Sequence, residues 1–290
     1  MKKFLVLTFI LMSIITAFLT VPANAAIKIT PNRFEFTLKP NSTKNIINGS
    51  FSVQGGSNEI IRFRVYPENF NIAKDGSVIT DTENAANDPF LQNIRFNPLE
   101  FTLTPGQPMR VRFTIPNIQE LSDGEHRIAL LMEDVKTREQ ALPTDNENVS
   151  ASIVIKTRVG VPIYINKGKT IKSGSIEKFN VENTSDGYYY VCNIKSTGNS
   201  NIRITNGKGQ ISCGRKLISE FPVDGLVIQA GNTGNFKDNL PIKELLPNEE
   251  YKFKITFIYK DQNQKDRYLI NEVRFKNQVK NEGRNWKKTL

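Results

Sequence analysis

Residues 149–165, VSASIVIKTRVGVPIYI, restrict the fold more than any other part of the chain. Val149, Ala151, Ile153 and Ile155 alternate with Ser150, Ser152, Val154 and Lys156, and a strand with one buried face has this period of two. The run continues through Thr157, Arg158, Val159 and Gly160 into Val161, Ile163 and Tyr164 with no polar linker. It reads as one continuous strand that leaves one domain and enters the next.

Both flanks have strand character. Ile27 and Ile29, then Phe34, Phe36 and Leu38, sit around Pro31 as strand, kink, strand. Residues 46–53 form a second strand, and Ile61, Phe63 and Val65 alternate with Arg62 and Arg64 in a third. Residues 34–40, FEFTLKP, are echoed by residues 99–105, LEFTLTP. One such match is too short for a repeat architecture, and it reads as the same local job done twice, a strand stopped by a proline turn. Residues 109–115 and 127–135 complete the set, while 80–93 and 136–148 are polar enough to be surface loops. Residues 166–275 follow the same logic, with strands at 175–181 and 188–195, shorter ones at 202–204, 209–213 and 226–229, and a long-looped hairpin over 251–275. No segment shows sustained helical periodicity, so the expected class is all-β, two sandwiches in tandem over 26–160 and 161–275. Residues 276–290 form a basic tail expected to be poorly ordered.

Lys2 and Lys3, an apolar run, and then Ala23, Asn24, Ala25 form a secretory signal, with cleavage expected after Ala25. The apolar run is too short and too interrupted by Thr8, Ser13 and Thr16 for a spanning helix, which needs about 20 apolar residues. Removing Lys2 and Lys3 from the formal charge of +10 leaves a basic mature chain. Its lysines are scattered and no nucleic-acid motif accompanies them, so no nucleic-acid partner is expected. Export and an even count predict one disulfide, Cys192 to Cys213. Its loop of about 20 residues would stabilise the fold by ~3 kcal/mol.

Chemistry is sparse. His126 is the only histidine, which rules out a two-histidine metal site, and beside Glu125 it reads as a surface residue rather than a general base. No glycine-rich loop opens a helix, and neither cysteine has a base near it in sequence. No enzyme activity, cofactor, metal or small-molecule substrate is expected.

Residues 26–33 (AIKITPNR), 105–112 (PGQPMRVR), 123–127 (DGEHR) and the 149–165 strand together resemble the first domain of the periplasmic pilus-assembly chaperones of the PapD-like family. Residues 181–184 (VENT) followed by 188–191 (YYYV) are similar to that family's Asn-Pro-Thr-Pro-Tyr-Tyr stretch, without its prolines and with extra residues. The resemblance covers most of residues 26–275. It implies two immunoglobulin-like domains that hold an incomplete pilus or fimbrial subunit in the periplasm and deliver it to an outer-membrane usher. The chaperone lends an edge strand whose alternate side chains, here Val149, Ala151, Ile153 and Ile155, enter the subunit's open groove. The resemblance also implies a cleft arginine and a lysine that grip the subunit's terminal carboxylate. The arginine aligns with Arg33. The lysine position aligns with Gly160, which carries no charge, and Arg158, two residues back on the same face, is the expected substitute. The rival reading is an exported immunoglobulin-like structural or adhesive surface protein.

Overall fold

A computed structural model describes residues 27–56, 60–136, 138–142, 151–184, 187–242, 245–246 and 248–277, with the backbone alone for 138–142 and 151–155. The secretory segment, Val149 and all of the tail beyond residue 277 lie outside the described residues. The first sandwich contains, in chain order, β1 (Ile27–Thr30), β2 (Phe34–Leu38), β3 (Ile47–Gly55), β4 (Ile61–Ile72) and β5 (Val78–Thr80). Two helical turns follow, α1 (Thr82–Ala85) and α2 (Pro89–Gln92), then β6 (Arg95–Asn97), β7 (Glu100–Leu103), β8 (Pro108–Ile115) and β9 (Gly124–Asp134). A hairpin of β10 (Arg138–Leu142) and β11 (Ala151–Ile155) leads into β12 (Arg158–Lys167).

One sheet has the order β1-β3-β8-β6, and the other runs β2-β12-β9-β4-β5 with β7 also on β4. The kink at Pro31 moves the chain between them: β1 pairs with β3 in one sheet, and β2 lies parallel to β12 in the other. Alternation explains the packing. Phe51, Phe63, Val111, Phe113, Leu130 and Ile163 are all buried between the sheets, each contributing roughly 1.5–3 kcal/mol. The two echoed segments do the same job, ending their strands on the buried residues Leu38 and Leu103.

Residues 80–93 differ from the loop expected. Asp81 caps α1 by accepting from Asn84 N at 3.3 Å, and Asp88 caps α2 by accepting from Phe90 N at 2.9 Å. Single turns are too short to show a period, yet α2 buries Leu91 in the core. Residues 138–142, read within a charged loop, are β10.

The boundary expected between 160 and 161 is also corrected. β12 pairs with β9 without a break from Arg158↔Glu133 to Lys167↔Gly124, and Val161, Ile163 and Ile165 are buried in the first core. The second apolar patch is a continuation of the same buried face, so the chain leaves this sandwich after Lys167. It does so at Gly168, with φ +78°, where a Cβ would come within 2.6 Å of the Asp123 side chain.

The second sandwich contains β13 (Gly174–Thr184), β14 (Gly187–Ser196), β15 (Ile202–Cys213), β16 (Lys216–Val223), β17 (Leu226–Ile228), β18 (Thr233–Asn239), β19 (Glu250–Lys260) and β20 (Asp266–Lys276). The order β13-β14-β18 faces β16-β15-β19-β20, with β17 also on β15. Phe253, Ile255 and Phe257 of β19 are fully buried opposite Cys192 and Ile194 of β14.

The expected disulfide is absent. Both cysteines are free: Cys192 is in the three-stranded sheet, and Cys213 ends β15 in the facing sheet. Cys192 is flanked in register by Phe179 and Phe236, whereas the Cys213 thiol faces Glu249 Oε2 at 3.9 Å. An even count fixes no geometry, and a bridge needs the two Cβ vectors to converge. Burial pushes the Cys192 thiol up to about 12, which keeps it protonated and unreactive.

Candidate functional site

β11 pairs only with β10 among the described residues, in register Leu142↔Ala151 to Arg138↔Ile155. On the other side of β12, β2 covers only Ile163 to Lys167. A continuous backbone edge therefore stays open along β11 and the first residues of β12, and an open edge is a template for a further strand. Ala151, Ile153 and Ile155 occupy alternate positions of β11.

Arg158, at the start of β12, is engaged by carboxylates of its own domain. Its register partner Glu133 accepts from Nη2 at 3.1 Å, Glu68 Oε2 lies 3.7 Å from Nη1, and the guanidinium stands 5.8 Å from the centre of the Tyr66 ring. Lys156 also pairs with Glu133, and Tyr66 donates to it at 2.8 Å. Burial alone would raise the Glu133 carboxyl, but the bonds from Lys156, Tyr66 and Arg158 outweigh it and hold the group below its usual range.

Arg33 is exposed, just ahead of β2. Because Phe34 is opposite Ile163, Arg33 is level with Pro162, four residues along β12 from Arg158. At strand rise that separation is about 13 Å, so Arg33 and Arg158 do not meet on one carboxylate. Gly160 lies between them, and a Cβ there would press on Leu131 Cδ2 at 3.1 Å. The neighbours of Arg33 are instead Tyr164, 4% exposed, and Arg203 of β15, whose guanidinium stands 5.9 Å from the Tyr164 ring centre.

The cleft between the sandwiches is closed at its base by polar contacts. Glu125, with a side chain 1% exposed, accepts from Arg127 at 3.0 Å, from the Ser200 hydroxyl at 2.9 Å, from Asn201 N at 2.7 Å and from the Asn201 amide group. Ser200 Oγ also lies 2.7 Å from Asn166 Oδ1, so Glu125 and Asn166 share its one proton, and Lys172 pairs with Glu35. Asn235 N donates to Lys74 O at 2.7 Å, and Ile72 N donates to Gln229 Oε1 at 3.2 Å. Val227 packs against the buried cluster of Phe70, Ile72, Ala129, Leu131 and Tyr164, and a Cβ on Gly76 would come within 2.0 Å of Leu226. His126 takes no part beyond a 2.8 Å contact with Ser122 O.

Sequence reasoning passed over Tyr164, Arg203 and Glu125. The available signal for Arg203 was a single cation between two isoleucines, Ile202 and Ile204, both of which the second core buries. Among the described residues, no cluster of three or more His, Cys, Asp or Glu could hold a metal ion, and no helix is long and apolar enough to cross a membrane.

No protein-family model matches the chain, and no curated protein matches it either. Solved structures similar to it are chaperones of fimbrial and pilus systems. The CsuC–CsuE chaperone–tip subunit pre-assembly complex of Acinetobacter baumannii matches with 13% identity and a TM-score of 0.41, over 85% of this chain and 98% of that one. The Salmonella enterica SafA pilin–SafB chaperone complex matches with 11% identity and a TM-score of 0.41, over 85% and 96%. The Pseudomonas aeruginosa CupB2 chaperone matches with 8% identity and a TM-score of 0.40, over 84% and 99%.

Proposed function

We propose that this protein is an exported pilus-assembly chaperone that binds an incomplete fimbrial subunit by adding β11 and the start of β12 to the subunit's sheet. The observation that carries this reading is the edge itself. Among the described residues β11 is bonded on one side only, and it continues directly into a strand anchored in the first core. Main-chain hydrogen bonds along such an edge supply affinity, and alternate side chains supply fit. Val149, Ala151, Ile153 and Ile155 are the alternating apolar set, and two isoleucines and a valine buried in a partner would each contribute roughly 1.5–3 kcal/mol. Arg33 is the cleft cation for the subunit's terminal carboxylate, while Arg158 is occupied by Glu133 and Glu68. Export after cleavage at Ala25 places the protein in the periplasm, where an outer-membrane usher would receive its cargo.

Replacing Ile153 with Asp tests the strand. The free protein should stay folded, while co-purification of a fimbrial subunit from cells producing both should be lost, because the new charge would be buried without a partner. Unfolding of the free variant would assign Ile153 to the protein's own core and overturn the reading.

A further inference from the structure

Phe34 and Phe36 pack into the first core, so Arg33 and Glu35 project from the opposite face of β2, the face that also carries Tyr164. The buried residues Ile202 and Ile204 flank Arg203, which therefore points out of the second sandwich and onto the Tyr164 ring. Two arginines from two domains thus share one corner of the cleft. The nearby carboxylates are taken: Glu35 is held by Lys172 and by Asn166 Nδ2 at 3.4 Å, and Glu125 by Arg127, Ser200 and Asn201. Neither Arg33 nor Arg203 has an ion pair of its own among the described residues. Burial first, and then the Arg33 charge, hold the Arg203 guanidinium below the usual arginine range. A half-buried cation beside a like charge is destabilising until an anion joins it.

The open edge leads to this corner. A strand laid along β11 and β12 is stopped where β2 takes over that edge, at Ile163↔Phe34, and its last residue arrives beside Arg33. If it runs parallel to β12, as β2 does, that last residue carries a free carboxylate. We infer that Arg203 and Arg33 together bind the chain-end carboxylate of a docked strand, with Arg203 supplying the second cation that Gly160 cannot. Tyr164 holds the Arg203 fork in place, and two guanidinium groups suit the planar oxygens of a carboxylate. The chain-end assignment rests on the strand-lending reading.

The test uses the full protein and small probes that cannot pair as strands. N-acetylvaline represents a chain end, N-acetylvalinamide its uncharged twin, and N-acetylaspartic acid diamide a side-chain carboxylate. The arginine Nε–Hε resonances are followed by NMR and assigned with Arg33→Lys and Arg203→Lys. N-acetylvaline should move both resonances with one common midpoint, the amide should move neither, and Arg203→Gln or Arg33→Gln should each weaken binding about tenfold, the loss of one charge-assisted bond. Movement of Arg33 alone, or of neither, would reduce Arg203 to a strut on Tyr164 and overturn the inference. Equal binding of the aspartate probe would overturn the chain-end assignment. Failure of strand lending in the Ile153→Asp experiment would leave N-acetylvaline binding intact, so the two ideas fail separately.

Discussion

The two ends of β12 hold cations in opposite circumstances. At its start, Arg158 and Lys156 converge on Glu133, with Glu68 behind them. Toward its far end, Arg203 stands over Tyr164 with Arg33 as its neighbour, while Glu35 and Glu125 are bonded elsewhere. A cation supplied with its own carboxylate braces the fold, and one deprived of it is available to a partner. A charge count along the sequence treats the two alike.

The largest effect should come from Glu125, which gives the far end its geometry. Glu125→Ala removes the carboxylate that accepts from Arg127, the Ser200 hydroxyl and Asn201 N, and breaking such a buried charged network costs about 3–5 kcal/mol. Chemical denaturation should show the loss, and limited proteolysis should show new cleavage between residues 168 and 173. A variant as stable as the parent would mean that the cleft is held by Val227 and the other apolar contacts instead.

The next experiment sets the two ends directly against each other. Arg33→Ala should weaken binding of a cognate subunit by about 2–5 kcal/mol, the cost of a partly desolvated carboxylate losing its partner. It should leave the free protein as stable as before or slightly more so, since a like charge beside Arg203 is removed. Arg158→Ala should do the reverse, costing the free protein about 1 kcal/mol, as partly exposed ion pairs do, with subunit affinity unchanged. Titration calorimetry alongside urea melts separates the two patterns, and identical behaviour of the variants would dissolve the distinction.

The smallest effect is on pH dependence. The carboxyl of Glu133 is lowered from 4.5 in the folded protein, so its contribution to stability is complete above that value and fades as pH falls through the lowered one. Glu133→Gln should flatten this part of the acid limb of a stability profile. Arg203→Gln should leave this part of the limb in place, because Arg203 makes no contact with Glu133, and a limb flattened by Arg203→Gln would show otherwise.

What was legible in the sequence was whatever one strand carries alone. Alternation in residues 61–65, 109–115, 251–259 and 267–275 located strands, and the sandwich class followed. β18 escaped notice because Thr233–Asn239 offers a single core aromatic, Phe236, and is a strand through its pairing with β14. β16 escaped because it lies at a sheet edge, with Leu217 and Ile218 exposed, so its pattern is blurred. The boundary was misplaced because Val159 and Val161 read the same whether the strand serves one core or two. Arg33 could be aligned from a local motif, but its company could not: Arg203 is 170 positions away, and only the docking of the two sandwiches brings it to Tyr164.

The Tyr164–Arg203 contact spans the two domains, and this bears on when the protein becomes competent. A nascent chain whose first sandwich has folded already has its open edge and Arg33. It lacks the second guanidinium until β15 has formed and docked. If Arg33 and Arg203 together grip a chain end, that grip works as a coincidence detector, engaging only after both halves are complete, and a half-made molecule would release cargo that a finished one retains.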